Sequence, residues 1–458
     1  MVRLFHVYYP VRTLVLLTCE AVLVYACFTL ATVLRLGADS YLTLNYENGW
    51  IKILTVTICC ILCSYYFDLY APQRFGSRTE IYFRLLLVVG VMSFILAALI
   101  YAVPAFAIPN DVFLIGLAML TLTLVIWRAC YQWLMKQPVL RERVYVIGDG
   151  VQAQHVVNAI RSRSDLGMEL VGWAGGVACG SNTHEAVSDQ IRVLGNRVPV
   201  DRVILGLSDR RGAMPVRELL DLRLNGIKIE DASSLLEKTE GKIELDGLHP
   251  SALLFAEGFK LNASFMFVRR VISFLVALTA LLICLPVIPI VALLVKLTSP
   301  GPVFFRQERV GRKGEIFSVN KFRTMRQDAE AGTGAVWAGK NDPRVTTIGR
   351  FLRKTRLDEI PQLWNVLKGD MGFVGPRPER PEFVQWLTEK IPYYNLRHII
   401  RPGLTGWAQV RYQYGASLAE TKVKLEYDLY YIKHMSLALD MFIMFETVKT
   451  VVLRRGSQ

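Results

Sequence analysis

Four apolar runs open the chain, at residues 11–34, 51–69, 81–103 and 112–134. Each is close to the ~20 residues a helix needs to cross a bilayer. Arg3 and Arg12 precede the first run, Arg74, Arg78 and Arg84 lie in or beside the second connection, and Lys136, Arg141 and Arg143 follow the fourth. The third connection, around 104–110, has no Lys or Arg, so both ends of this bundle are expected to face the cytoplasm. From 143 to 231 the pattern changes to short apolar stretches alternating with amphipathic ones. There, 143–147, 170–174 and 202–207 read as strands of a parallel sheet with helices between them. Residues 233–264 read as a polar connector with little periodicity.

One more apolar run comes next, 271–295, flanked by Arg269, Arg270 and Lys296. It is long enough to cross, but Pro286 and Pro289 interrupt it, and crossing would put the C-terminal region on the opposite side of the membrane from the α/β region. The pattern predicts a kinked helix that enters and leaves the same leaflet, with its break covered by protein. Residues 303–325 then read as a basic β-hairpin turning through 311–314. The tail over 425–453 reads as one helix with Tyr427, Tyr430, Tyr431, Met435, Leu439, Phe442, Phe445 and Val448 on a broad face. That face suits either ordinary packing or an interfacial position.

Composition sharpens the picture. Hydrophobic residues make up 52% of the 458 and come in blocks, as in a membrane protein. A net charge of +14 would suit nucleic acid or an anionic membrane surface, and the apolar runs decide for the membrane, so no nucleic-acid partner is expected. Of the eight cysteines only Cys179 falls outside the apolar segments, and no spacing suggests disulfides or a zinc site. They read as small buried side chains. The first apolar run is too long for a cleavable signal peptide.

Two stretches carry candidate chemistry. Gly148-Asp149-Gly150-Val151-Gln152-Ala153 is a GxGxxA variant of the dinucleotide fingerprint, but the second strand closes on Ala174, Gly175 and Gly176 where a cofactor site wants an acid. A structural strand-to-helix turn is the preferred reading, with a vestigial or regulatory nucleotide site as the alternative. The other stretch is 351–379, FLRKTRLDEIPQLWNVLKGDMGFVGPRPE. Asp358 and Glu359 follow Arg353, Lys354 and Arg356, and a Gly375-Pro376-Arg377-Pro378 element comes after. Guanidinium groups grip phosphate oxygens with paired donors, and a carboxylate can hold a hard cation or attack phosphorus. Pro361 and Gly369 bracket a helix predicted to start near Asp358, where unpaired backbone N–H groups favour anions. The plain alternative is that Asp358 and Glu359 are a solvated helix cap.

The blocks SPGPVFFRQERVGRKGEIFSVNKFRTM, RLDEIPQLWNVLKGDMGFVGPRPE and RPGLTGWAQV, in that order, resemble the bacterial polyprenyl-phosphate sugar-1-phosphate transferases of the monotopic phosphoglycosyl transferase superfamily. The front of the chain is similar in architecture to the large members of that family. The resemblance implies a membrane α plus α/β protein: a four-helix transmembrane bundle at 1–138, a Rossmann-like α/β module at 139–235 and a linker at 236–264. A catalytic domain at 265–458 would then carry a re-entrant helix at 268–297, with Pro286 and Pro289 at its membrane break. The implied reaction moves a sugar 1-phosphate from a UDP-sugar to undecaprenyl phosphate through an aspartyl intermediate, releasing UMP, at the cytoplasmic face of the bacterial inner membrane. Asp358 would be the nucleophile and Glu359 its partner, both helping hold Mg²⁺. Arg353, Arg377, Pro378, Arg401, Lys321 and Arg323 would bind substrate phosphate. Where the family often has serine before the breaking proline, this chain has Leu285. Its other expected partner is the bilayer, and the α/β module and helical bundle offer surfaces for a homodimer. Two rivals are a non-catalytic membrane scaffold with a nucleotide-sensing α/β module, and a nucleotide-sugar oxidoreductase using Gly148 and Gly150.

Overall fold

The computed structural model describes residues 1–71, 78–148, 150–174, 200–207, 216–246, 258–259, 262–329, 342–412 and 417–453. The chain divides into two compact units, one of Met1–Val2 and Tyr9–Ala232, the other of Arg3–Tyr8 and Ser233–Gln458.

In the first unit the four apolar runs form helices Val11–Leu36, Gly49–Tyr66, Arg78–Ala102 and Asn110–Leu134. They share one core, built on Val24, Phe28, Val56, Val88, Met92 and Leu120. Their other faces expose Val22, Ile58, Phe94 and Leu122, apolar surface that suits lipid and not water. A β-carbon at Gly116 would lie 2.8 Å from the Phe28 ring, so two of these helices meet where only glycine fits. A buried ionic group ties them: Glu20 accepts from Arg128 Nη2 at 3.0 Å and from the Tyr70 hydroxyl at 2.7 Å, and Arg128 Nη1 donates to Leu69 O at 2.7 Å. The described cysteines are free thiols; Cys27, Cys60 and Cys63 are buried as expected, whereas Cys19, Cys59 and Cys284 are only partly buried and Cys130 is exposed.

Among the described residues the rest of this unit carries four parallel strands in the spatial order Met168–Ala174, Glu142–Ile147, Arg202–Leu205, Lys228–Asp231. The last strand has only four residues and went unread in the sequence. Gly148 adopts φ +129°, a β-carbon there would lie 2.3 Å from Gly206 O, and the Trp173 indole donates to Gly148 O at 3.0 Å. Steric crowding at the strand end explains this glycine. Asp149, Gly175, Gly176 and Cys179 lie outside the described residues.

In the second unit the connector is partly regular, with a helix at Ala232–Glu240. The last apolar run is two helices, Ala263–Cys284 and Val287–Thr298, separated at Leu285 and Pro286. The interruption belongs to Pro286 alone. Pro289 sits in the first turn of the second helix, where a missing N–H leaves no intrahelical bond unmade. Ala277 from the first helix and Val291 and Val295 from the second enter one core with Val319, Phe322, Leu352, Leu363 and Val366. Leu275, Leu282, Ile283, Ile290, Leu293 and Leu297 point outward and are exposed. Strands Phe304–Val310 and Ile316–Phe322 form the expected antiparallel hairpin. The expected single helix over 425–453 is instead Leu418–Lys433 and Leu437–Val452. Ser436 starts the second by accepting the Leu439 N–H on its side chain at 3.2 Å, a cap that an unbroken helix has no use for.

The Glu20–Arg128 pair gives a stability test. Glu20→Ala strands the Arg128 charge in an apolar interior, so it should cost about 3–5 kcal/mol, read from the unfolding midpoint in detergent. The double change Glu20→Met, Arg128→Met should cost much less, and equal losses in the two proteins would show that the pair is not what binds these helices.

Candidate active site

Local conformation puts the two carboxylates at the centre of the second unit. Helix Thr347–Thr355 ends at Arg356, a non-glycine residue in the left-handed region at φ +59°, whose N–H bonds Arg353 O and Leu352 O. Such a residue costs about 1–3 kcal/mol and persists only where its surroundings hold it. The chain turns there into a short 3₁₀ segment, Leu357–Glu359, and the α-helix starts only at Gln362, after Pro361. The acid pair therefore precedes the helix, and the helix N-terminus does not explain its setting as the sequence suggested. Gly369, at φ +104°, ends this helix as expected.

Asp358 is 7% exposed, and its Oδ1 is buried with no hydrogen-bond partner among the described residues. A solvated cap would look different. Glu359 Oε1 accepts from Arg377 Nη2 at 2.7 Å and lies 3.6 Å from Lys321 Nζ and 3.9 Å from Arg356 Nη1. Burial, then the Glu359 charge, pushes the Asp358 carboxyl up to about 6, against the pull of Lys321, Arg353 and Arg377. Burial also works against a charge on Glu359, but Arg377, Lys321 and Arg356 outweigh it and hold this carboxyl well below the usual range. Burial lowers Lys321, with Glu359 opposing. One carboxylate is thus fixed as an anion, while its neighbour keeps an oxygen that no described residue claims.

Not all the expected phosphate ligands gather here. Arg353 acts on Asp358 electrostatically and steadies itself by donating from Nε to Thr324 Oγ1 at 3.0 Å. Arg377 and Lys321 both reach Glu359, and Pro378 lends its carbonyl to Arg309 Nη1 at 3.1 Å. Arg323 is buried and turned elsewhere, donating from Nη2 to both the carbonyl and the hydroxyl of Ser299 at 2.7 Å. It clamps the turn after the second apolar helix. The charge of Arg401 acts on Arg270, which donates to Val366 O and Leu367 O at the far end of helix Gln362–Lys368.

The third sequence block serves a different purpose from the one its arginine suggested. Strand Gly403–Thr405 pairs in parallel with Gly372–Val374, and Gly375 N–H donates to Thr405 O while Gly403 N–H donates to Pro376 O. A β-carbon at Gly403 would lie 2.1 Å from Gly375 N. The glycines of the block let two backbones touch, and that contact fixes the start of the Gly375-Pro376-Arg377-Pro378 loop. Beneath it Arg397 donates from Nη2 to Arg377 O at 2.8 Å and pairs with Asp428 at 2.9 Å. Neither was singled out in the sequence, although a lone Asp among Tyr427, Leu429, Tyr430 and Tyr431 signals a buried charge that needs a partner.

A buried carboxylate pair ringed by guanidinium and ammonium groups, in a protein with five helices among the described residues long and apolar enough to cross a membrane, has the makeup of a membrane enzyme acting on phosphate. The bacterial sugar transferase profile matches residues 264–454. Over 404 residues the chain is 33% identical to the Escherichia coli (strain K12) UDP-glucose:undecaprenyl-phosphate glucose-1-phosphate transferase, covering 83% of this chain and 84% of that protein. It is 42% identical over 243 residues to the Aeromonas hydrophila UDP-N-acetylgalactosamine-undecaprenyl-phosphate N-acetylgalactosaminephosphotransferase, covering 53% of this chain and 56% of that protein. An undecaprenyl-phosphate glucose phosphotransferase of Komagataeibacter xylinus is 32% identical over 328 residues, covering 69% and 60%. The chain belongs to the bacterial sugar transferase family, as a phosphotransferase of the undecaprenyl-phosphate sugar-1-phosphate class. It is an integral membrane protein.

The Asp358 environment has a pH signature. An unfolded Asp ionises near 3.9 and the folded carboxyl at about 6, so its proton contributes stability that is full below about 4 and lost as pH rises through 6. In EDTA, Asp358→Asn should therefore be more stable than the parent protein at pH 7–8, by the order of 2 kcal/mol, and should converge with it toward pH 4. Unfolding midpoints of the two proteins across that range check this, and a gap that ignores pH would contradict it.

Proposed function

We propose that this protein transfers a sugar 1-phosphate from a UDP-sugar to undecaprenyl phosphate, as an early membrane step of exopolysaccharide, capsule or O-antigen synthesis. The observation that carries this reading is the unclaimed oxygen of Asp358 among Lys321, Arg353 and Arg377. A nucleophile must have a free lone pair, and the surrounding cations suit a diphosphate. In the first step an Asp358 oxygen attacks the sugar-side phosphorus, the bond from that phosphorus to the bridging oxygen breaks, and UMP leaves with the electron pair. In the second, an oxygen of undecaprenyl phosphate attacks the same phosphorus and frees the Asp358 carboxylate. Products are UMP and undecaprenyl-diphosphate-sugar.

Mg²⁺ fits this reading. Asp358 keeps a buried oxygen with no partner among the described residues and Glu359 stays anionic beside it, so the two would offer oxygens to the ion, and phosphate oxygens and waters would complete the shell, as Mg²⁺ favours. When bound, the ion would neutralise phosphate charge and favour the ionised form of Asp358. Arg377 keeps Glu359 anionic, and Arg353 and Lys321 draw the diphosphate toward Asp358.

The first unit is read as a four-helix transmembrane bundle joined to a Rossmann-like scaffold whose glycine turn is structural. The apolar pair Ala263–Cys284 and Val287–Thr298 is read as re-entrant from the cytoplasmic side of the inner membrane. Arg269 donates to Val374 O and Arg270 to Leu367 O near its start, while Arg323 grips Ser299 at its end, so both ends are tied to one unit. Ala263–Cys284 is long enough to cross as a whole, but Arg269 and Arg270 end its apolar part, leaving ~21 Å to the break and ~17 Å on the return arm, each short of the ~30 Å apolar core.

The test is UMP release from a panel of UDP-sugars, including UDP-glucose, UDP-galactose and their N-acetyl counterparts, with undecaprenyl phosphate and Mg²⁺. At least one donor should turn over, EDTA should stop it, and Asp358→Asn should lower the rate by about 10³-fold or more. Turnover by Asp358→Asn at the parent rate would remove Asp358 as the nucleophile. Silence with every donor would remove the transferase reading.

A further inference from the structure

The loop that delivers Arg377 is gripped at both ends in the same way. At its start Arg269 donates from Nη2 to Val374 O at 2.5 Å, pairs through Nε with Asp440 at 2.6 Å and bonds the Tyr431 hydroxyl. At its far side Arg397 donates from Nη2 to Arg377 O at 2.8 Å, pairs with Asp428 at 2.9 Å and donates from Nη1 to the Tyr394 hydroxyl at 2.6 Å. All six side chains are buried. Each grip is an arginine, an aspartate and a tyrosine, and each directs one donor at a loop carbonyl.

Stability alone does not account for this. A buried arginine–aspartate pair gains little over apolar side chains of the same volume, because desolvating two ions offsets their attraction. An apolar replacement, however, could not hold a carbonyl in place. A guanidinium can, since its planar fork serves a carboxylate and a carbonyl together. The held carbonyl at the far side belongs to Arg377 itself, whose side chain donates to Glu359 Oε1 at 2.7 Å. The chain of contacts therefore runs from Asp428 through Arg397 to the Arg377 backbone, and then through the Arg377 side chain to the carboxylate beside Asp358.

We propose that Arg397, held by Asp428 and Tyr394, is a positioning residue that sets Arg377 against Glu359, with Arg269 and Asp440 as the matching post at the loop's start. This rests on the transferase reading only for its kinetic consequence. Arg397 touches no reacting atom and acts through Arg377. The aspartates and tyrosines hold the arginines, and the arginines hold the loop.

The experiment uses the full-length protein in nanodiscs and two readouts. Hydrogen exchange of the peptide spanning 372–378 reports on the loop directly, and kcat with the best UDP-sugar reports on the site. Arg397→Met should raise loop exchange by about tenfold or more and lower kcat by about 100-fold, the size expected of a misplaced group. Arg397→Lys keeps the charge but cannot serve all three partners, so its losses should be smaller in both readouts. It carries the test alone if Arg397→Met does not fold. Because Arg397 acts through Arg377, adding Arg397→Met to Arg377→Met should lower kcat by less than about threefold further. Losses that multiply in the double variant, or loop exchange unchanged in Arg397→Met and Arg397→Lys, would overturn the proposal. Should every UDP-sugar fail with the parent protein, the transferase reading falls, while loop exchange still decides for or against the post.

Discussion

A carboxylate oxygen buried without a hydrogen bond is costly, and the second unit is arranged so that Asp358 can have one. Left alone, a buried Asp would take up a proton or find a partner. Here neither remedy is complete. Glu359 stands beside it as a fixed anion, and Arg377, Lys321 and Arg356 hold that anion in place. Arg353 then adds its own positive charge on the Asp358 side. The result is a group poised between two protonation states, with a lone pair facing no donor among the described residues. Its neighbours either supply a cation or orient one. Arg356 turns the chain in a left-handed conformation, Thr324 steadies Arg353, and the hairpin strand Ile316–Phe322 presents Lys321.

The second constraint is apolar. Helices Ala263–Cys284 and Val287–Thr298 each turn one face into the core beneath the acid pair and leave another bare. Holding that much leucine and isoleucine in water costs roughly 25 cal/mol for each Å². A surface of this kind belongs in lipid. The same helix start that carries the bare face also carries Arg269 and Arg270, which bond backbone carbonyls around the site. Lipid anchoring and site geometry are therefore built from adjacent residues of one helix, which suits chemistry on a phosphate at the headgroup level.

Much of this was legible in the sequence, and the parts that were not share a cause. Apolar runs of lipid length announced the long apolar helices, β-rich arms about the turn at 311–314 announced the hairpin, and Pro361 and Gly369 bracketed the helix after the acid pair. Local signals reported local structure. The start of that helix was misplaced because an acidic pair before a proline looks like a first turn, whereas Arg356 had already diverted the chain. The strand Lys228–Asp231 was missed because Ile229 is its single apolar residue, whereas the equally short Arg202–Leu205 carries three. The last helix was read through its break because Ser436 caps by a single hydroxyl amid apolar neighbours. At the site, Arg377 and Lys321 were named from the family resemblance, and the fold sets both against Glu359. Arg323 and Arg401 came from the same resemblance, yet Arg323 clamps Ser299 and the charge of Arg401 acts on Arg270. Nearness in sequence selects candidates, and only the fold says which way a guanidinium turns.

That distinction explains why the arginines of this unit fall into two populations. Arg353, Arg356 and Arg377 put their charge on the acid pair, where a diphosphate can share it. Arg269, Arg270, Arg323 and Arg397 put theirs on backbone carbonyls and buried carboxylates, which no substrate needs. A site that stabilises charge by preorganised donors gains only if those donors are already aimed before charge develops. Flexible side chains on a loose loop would have to be ordered during the reaction and would lose much of their effect. The second population removes that freedom in advance. Arg269 and Arg397 are neutralised by Asp440 and Asp428, each directs a donor at a carbonyl that cannot titrate, and the loop bearing Arg377 is left with little choice of position. An excess of basic residues that first suggests a surface for binding anions is thus, in good part, the internal framework that keeps a few cations still.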